Sequence, residues 1–151
     1  SIDVKVPGLE SLSGDYTYNL TGSTGQTTAK ACPSHAIEHA GNHYGQLYTI
    51  GYIQEIALDY YIESGGHKLG INDMSLMWGG LFDICGNWAK PHTLRYGHPE
   101  GLGADIDPNA VDDNTGRSVP VNQVRLNRIA QKHRGTRAPE PQIHYTFPPH
   151  E

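Results

Sequence analysis

Between Gly45 and Glu63 the apolar residues Leu47, Ile50, Ile53, Ala57, Leu58 and Tyr61 recur at steps of three and four, the period of a helix with one face on a core. Gly65 and Gly66 come next and supply a stop, because glycine takes the left-handed backbone that ends helices without a steric penalty. The spacing predicts the main buried helix over 45–63. A second helix is predicted over 121–133, with Val121, Val124, Leu126, Ile129 and Ala130 as its apolar face and Gly135 just past its end. Elsewhere the apolar segments are short and broken by glycines. Residues 68–71, 76–78, 81–84, 104–106 and 143–147 read as strands. In the last of these, Ile143, Tyr145 and Phe147 point to one face and Gln142, His144 and Thr146 to the other.

The first 31 residues carry neither pattern strongly. Val4, Val6 and Leu9, then Tyr16, Tyr18 and Leu20, alternate in a stretch rich in Ser, Thr and Gly, which predicts one or two short strands or an arm laid over the rest. The expected organisation is an extended N-terminal arm over 1–31 and one domain over 32–151. Its class is α+β, a small, mostly antiparallel sheet flanked by two helices. A chain of 151 residues is long enough to bury a core of that size.

Chemistry concentrates in His98-Pro-Glu-Gly101-Leu-Gly-Ala-Asp105, answered by His144 in an extended segment near the C-terminus. Imidazole nitrogen and carboxylate oxygen are good zinc ligands, and a catalytic zinc takes three of them while leaving a fourth position to water. Gly101 and Gly103 let the backbone turn tightly enough to aim His98 and Asp105 at one point. A calcium loop starting at Asp105-Ile-Asp107 fails at its later positions, because Ala110 stands where the turn needs Gly and Gly116 where it needs Glu. One zinc held by His98, Asp105 and His144 is the expected site. Asp107 is a candidate to hold a metal histidine from behind.

The H-x-x-G-x-x-x-D spacing with a late strand histidine resembles the zinc DD-peptidase and murein endopeptidase superfamily, to which the hedgehog signalling domain also belongs. Asn42-His-Tyr-Gly45, Asn72-Asp-Met-Ser-Leu76, Gly79-Gly-Leu-Phe-Asp83, Asn87-Trp88 and Pro91-His92 look like signposts of a bacterial, murein-endopeptidase-like subgroup, and the likeness spans about residues 40–148. It implies zinc at His98, Asp105 and His144 and hydrolysis of an amide bond in cell-wall peptide. The chain departs from the pattern at one place. Relatives carry a catalytic His or Glu on H-x-H or E-x-x-H before the last ligand, and here those positions hold Gln142 and Pro141. A carboxamide orients water but does not deprotonate it. The remaining candidates for a base are Glu140, His133, His92 and Glu100. Glu140 lies about 13 Å from His144 along an extended strand, so it reaches the site only if Pro139 and Pro141 bend the chain. The alternative is a zinc-stabilised binding or extracellular interaction module without turnover, as hedgehog relatives show on this architecture.

Arg95 is placed to hold a substrate carboxylate, with Trp88, Tyr96 and Gln142 beside it against a cell-wall peptide or glycan. The balance of 11 Lys+Arg against 16 Asp+Glu, a net charge of -5, argues against a nucleic-acid partner. No apolar run reaches the roughly 18 residues a membrane helix requires, so no membrane span is expected. Cys32 and Cys85 are the only cysteines. They form one disulfide if the compartment is oxidising, as an extracytoplasmic location implies, or stay as two buried thiols. The oligomeric state is left open.

Overall fold

The computed structural model describes residues 9–21, 43–72, 74 and 102–149. Among them are two helices and nine short strands in chain order: β1 (Leu9–Ser11), β2 (Tyr18–Leu20), β3 (Tyr44–Gln46), α1 (Leu47–Ser64), β4 (His67–Ile71), β5 (Gly103–Ile106), β6 (Asn109–Asp112), β7 (Ser118–Pro120), α2 (Gln123–Lys132), β8 (Thr136–Arg137) and β9 (Ile143–Thr146). The class is α+β. Strands β7, β6, β4, β5, β9 and β8 follow one another across the main sheet, every pair antiparallel, and β2 joins β4 as its parallel neighbour. β1 and β3 form a separate antiparallel pair. The predicted strands at 76–78 and 81–84 lie outside the described residues.

α1 begins two residues later than the periodicity suggests, because Gly45 and Gln46 are held as strand against Glu10 and Leu9. It ends where expected: Gly65 sits at φ 78°, and the N–H groups of Gly65 and Gly66 take the carbonyls of Ile62 and Tyr61 in a Schellman turn. Its buried face is Thr49, Ile50, Ile53, Ile56, Ala57 and Tyr60. Leu47, expected on that face, is 64% exposed, and Leu58 lies at the exposed edge.

α2 starts at Gln123, capped by the Asn122 side chain, which accepts from the Arg125 N–H at 3.0 Å. Val121 is buried but precedes the helix, and Val124 is 82% exposed, so neither belongs to its inner face. Leu126, Ile129 and Ala130 do that work; Val124 sits two residues, about 200° of helix, from Leu126 and points away. At the far end Arg134, not Gly135, takes the left-handed conformation, at φ 66°. Gly135 serves packing instead: a Cβ there would lie 3.1 Å from both the Ala130 carbonyl oxygen and the Phe147 ring.

The two helices pack on each other, α1 against β4 and α2 against β8. Their inner residues meet Leu69, Ile71, Ala104, Ile106, Ile143 and Tyr145 in one core. Each fully buried Ile or Leu contributes about 1.5–3 kcal/mol through apolar surface removed from water. β5 and β6 are nearly one strand, interrupted at Asp107 and Pro108, and both pair with β4, at its end and its start respectively. This arrangement fixes β5 in the sheet beside β9, where the polar cluster lies.

Candidate metal centre

β5 and β9 pair antiparallel with Asp105 opposite His144. Directly opposed residues project from the same face of a sheet, so the register alone brings the carboxylate and the imidazole together. Asp105 Oδ1 lies 2.5 Å from His144 Nδ1. The histidine is 1% exposed and the aspartate 22%.

The third member arrives through the β8–β9 hairpin. The Glu140 N–H donates to the Ala138 carbonyl at 2.9 Å, a three-residue turn centred on Pro139, whose fixed φ near −65° suits that bond. The Ala138 N–H in turn donates to the His144 carbonyl at 2.9 Å. The bend folds Glu140 back over β9, and its Oε1 comes within 3.8 Å of His144 Nδ1. Extended-strand spacing would have kept these groups far apart.

Asp105, Glu140 and His144 therefore each offer a ligand atom, all within 4.8 Å of one another. Two carboxylates this close to a buried imidazole are stable when positive charge sits among them, as a proton on the ring or as a metal cation. Oxygen and imidazole nitrogen are suitable donors for such a cation, and the partly exposed carboxylates leave it a route from solvent. A tetrahedral ion with bonds of about 2.0 Å spaces its ligand atoms roughly 3.3 Å apart, so the Asp105–His144 pair opens slightly to share one.

Of the other residues expected at the site, His98, Arg95, Trp88, Tyr96, Cys32 and Cys85 lie outside the described residues, as do His92 and Glu100. His133 is not part of the cluster. It is the C-cap of α2, and its ring is held by α1, with Nδ1 2.9 Å from Glu55 and Nε2 2.6 Å from Asp59. With both nitrogens on carboxylates it ties two helices together and is not a base beside the metal group. The bond from His133 holds the Asp59 carboxyl below its usual pKa, with Lys132 at 3.6 Å adding to the effect. Among the described residues Asp107 backs no histidine; its Oδ1 accepts from the Asn109 N–H at 2.8 Å and shapes the β5–β6 break.

Gln142 is exposed at the end of the bend and borders a cleft of about 440 Å³ together with Asp105, Asn72, Pro108 and Pro141. Asn72 was legible in the sequence only as part of a motif. A second unforeseen group supports the hairpin from behind. Arg137 donates to Asn127 Oδ1 at 3.1 Å, to Gln123 Oε1 at 3.2 Å and to the Gln142 carbonyl at 3.4 Å, and it lies over the Tyr145 ring. The Tyr145 hydroxyl also donates to Asn127. Gln123 and Asn127 stand four apart on α2, so the sequence did place them on one face; nothing in it named their partner.

No family model matches the chain, and no curated protein matches it. The likeness to murein endopeptidases therefore rests on the motifs alone. No described helix is long and apolar enough to cross a membrane.

Proposed function

We propose that the chain is a zinc-dependent hydrolase of amide bonds in cell-wall peptides, acting outside the cytoplasm, with His98, Asp105 and His144 as metal ligands and Glu140 as general base. The observation that supports this best is the bend at Pro139, which returns Glu140 to the Asp105–His144 pair. A strand-borne ligand pair needs no such detour, whereas a hydrolase needs one carboxylate near the metal to accept a proton.

Zinc supplies polarisation of the scissile carbonyl and acidification of water at the open position. Glu140 accepts the water proton and returns it to the departing amine, the two tasks of one carboxylate in turn. Gln142, at the mouth of the cleft, orients water or peptide through its carboxamide and takes no proton. His98, Arg95, Trp88 and Tyr96 enter on their sequence positions, with Arg95 gripping a substrate carboxylate. The Cys32–Cys85 disulfide belongs to the same reading, because it requires an oxidising compartment.

Metal analysis and a peptidoglycan digest read by mass spectrometry for new free amines test site and activity together. Wild type is expected to hold about one zinc and to release amines. Glu140→Gln keeps the zinc and slows cleavage by about 10² to 10⁴, the usual worth of a general base. Loss of zinc in Glu140→Gln would make Glu140 a ligand instead. Retention of zinc in the Asp105→Ala, His144→Ala double variant would place the metal elsewhere. The presence of Gln142 where relatives carry a catalytic histidine favours one other reading, a zinc-holding binding module. Zinc-replete wild type that cleaves no murein substrate selects it.

A further inference from the structure

We infer that Asn72 is the residue that hydrogen-bonds a main-chain carbonyl of the bound peptide, and that Thr21 fixes it for that task; the inference rests on the hydrolase reading above. Asn72 follows β4, and its N–H donates to the Asp105 carbonyl at 2.7 Å, so its backbone is tied to the strand that carries the metal cluster. Its partly buried side chain lines the cleft next to Asp105. The Thr21 hydroxyl donates to Asn72 Oδ1. A carboxamide whose oxygen is engaged has two N–H donors left, and these are what Asn72 offers a ligand.

Thr21 is itself well seated. Its N–H donates to the Ile71 carbonyl at 2.8 Å, extending the parallel β2–β4 pairing by one residue. Gly70 makes room for it: a Cβ at that position would lie 2.8 Å from Thr21 Oγ1 and 2.9 Å from the Asp107 Cβ. Closeness of this order leaves the threonine little freedom, so the orientation of the Asn72 carboxamide is set from outside the cleft. The cleft's other described lining is Gln123 and Gln142, the rings of Pro108 and Pro141, and apolar Ile106 and Ile143, with Asp105 the one charged group among the described residues. Neutral amides interleaved with apolar walls suit a peptide backbone better than a phosphate or an acidic sugar.

The test compares zinc-loaded wild type, Asn72→Ala, Asn72→Asp and Thr21→Val, reading KM and kcat on a murein peptide, the affinity for the same peptide by calorimetry, zinc content and melting temperature. Asn72→Ala is expected to raise KM about 3- to 10-fold with kcat little changed, as befits a hydrogen bond made equally in ground and transition states. Asn72→Asp is the decisive variant. It keeps the shape and still accepts from Thr21, yet it has no donors and turns an oxygen toward the substrate carbonyl, so its KM should rise further than that of Asn72→Ala. Thr21→Val should raise KM less than either. If Asn72 only supports the fold, Asn72→Asp will resemble wild type, and that overturns the inference while leaving the hydrolase reading intact. If wild type binds peptide without cleaving it, the hydrolase reading fails alone and calorimetry decides on Asn72: equal affinity in wild type and Asn72→Asp overturns it. Wild type that neither cleaves nor binds overturns both.

Discussion

Single residues carry strain and charge that no pattern announces. Arg134 ends α2 in the left-handed region, where a side chain crowds its own carbonyl. The turn is otherwise well made, since the N–H groups of Arg134 and Gly135 take the Gln131 and Ala130 carbonyls. Arg134→Gly should therefore stabilise the protein by about 0.5–1 kcal/mol, the relief of strain outweighing the extra freedom of the unfolded glycine; a denaturant melt at constant slope measures it. Asp59 is the second case. Its carboxyl is held below the usual range by His133, so ionised Asp59 contributes stability that is fully present above the ordinary carboxylate pKa and is lost as pH falls through the lowered folded value. Acid titration of wild type and Asp59→Asn should show a gap of about 1 kcal/mol or less at neutral pH that closes in strong acid. A gap that widens in acid would refute the assignment.

At the scale of elements, the β8–β9 hairpin and α2 act as one unit because Tyr145 and Arg137 bridge them. Burial in that contact pushes the Tyr145 phenol up to about 12, the charged form being disfavoured where water is excluded. A raised folded pKa means that the contribution of neutral Tyr145 is present below the ordinary tyrosine value and fades as pH rises through about 12. Ultraviolet titration should find buried tyrosines, Tyr18 and Tyr145, still protonated after the exposed ones have ionised, and Tyr145→Phe should take one tyrosine out of that late step while costing about 1 kcal/mol through the lost bond to Asn127. The same elements show how far periodicity reaches. The existence of α1, α2, β4, β5 and β9 follows from apolar spacing, but that of β6 and β7 does not: Asn109–Asp112 and Ser118–Pro120 are short, mixed segments with too few apolar positions to show a period, made strands by the partners they find.

For the whole molecule, the candidate centre joins β5 to the last hairpin, segments that lie about forty residues apart in the chain. A cation that binds only when these segments meet is linked to folding. Zinc at about a hundred times its dissociation constant should add roughly 2.7 kcal/mol, and chelation should remove it. Calorimetric melts at rising zinc should climb for wild type and stay flat for His144→Ala; parallel climbs would separate the metal from this cluster.

What the sequence determined by itself was the period of each apolar run, and with it the class of the fold and the two helices; Asp105 and His144 were named with His98 as ligands on residue chemistry and motif spacing, not on period. Period has slack in it. Leu47 and Val124 matched the helical spacing and ended exposed, because the neighbours that rotate a helix on a core are distant in sequence. Only the tertiary structure decided the β5–β9 register that sets Asp105 across from His144, the seizure of His133 by α1, and the turn at Pro139 that brings Glu140 to the site. The first two depend on contacts between segments whose separation along the chain says nothing of their distance in space; the turn is local, and the prolines marked where a bend could fall but not that it closes on His144.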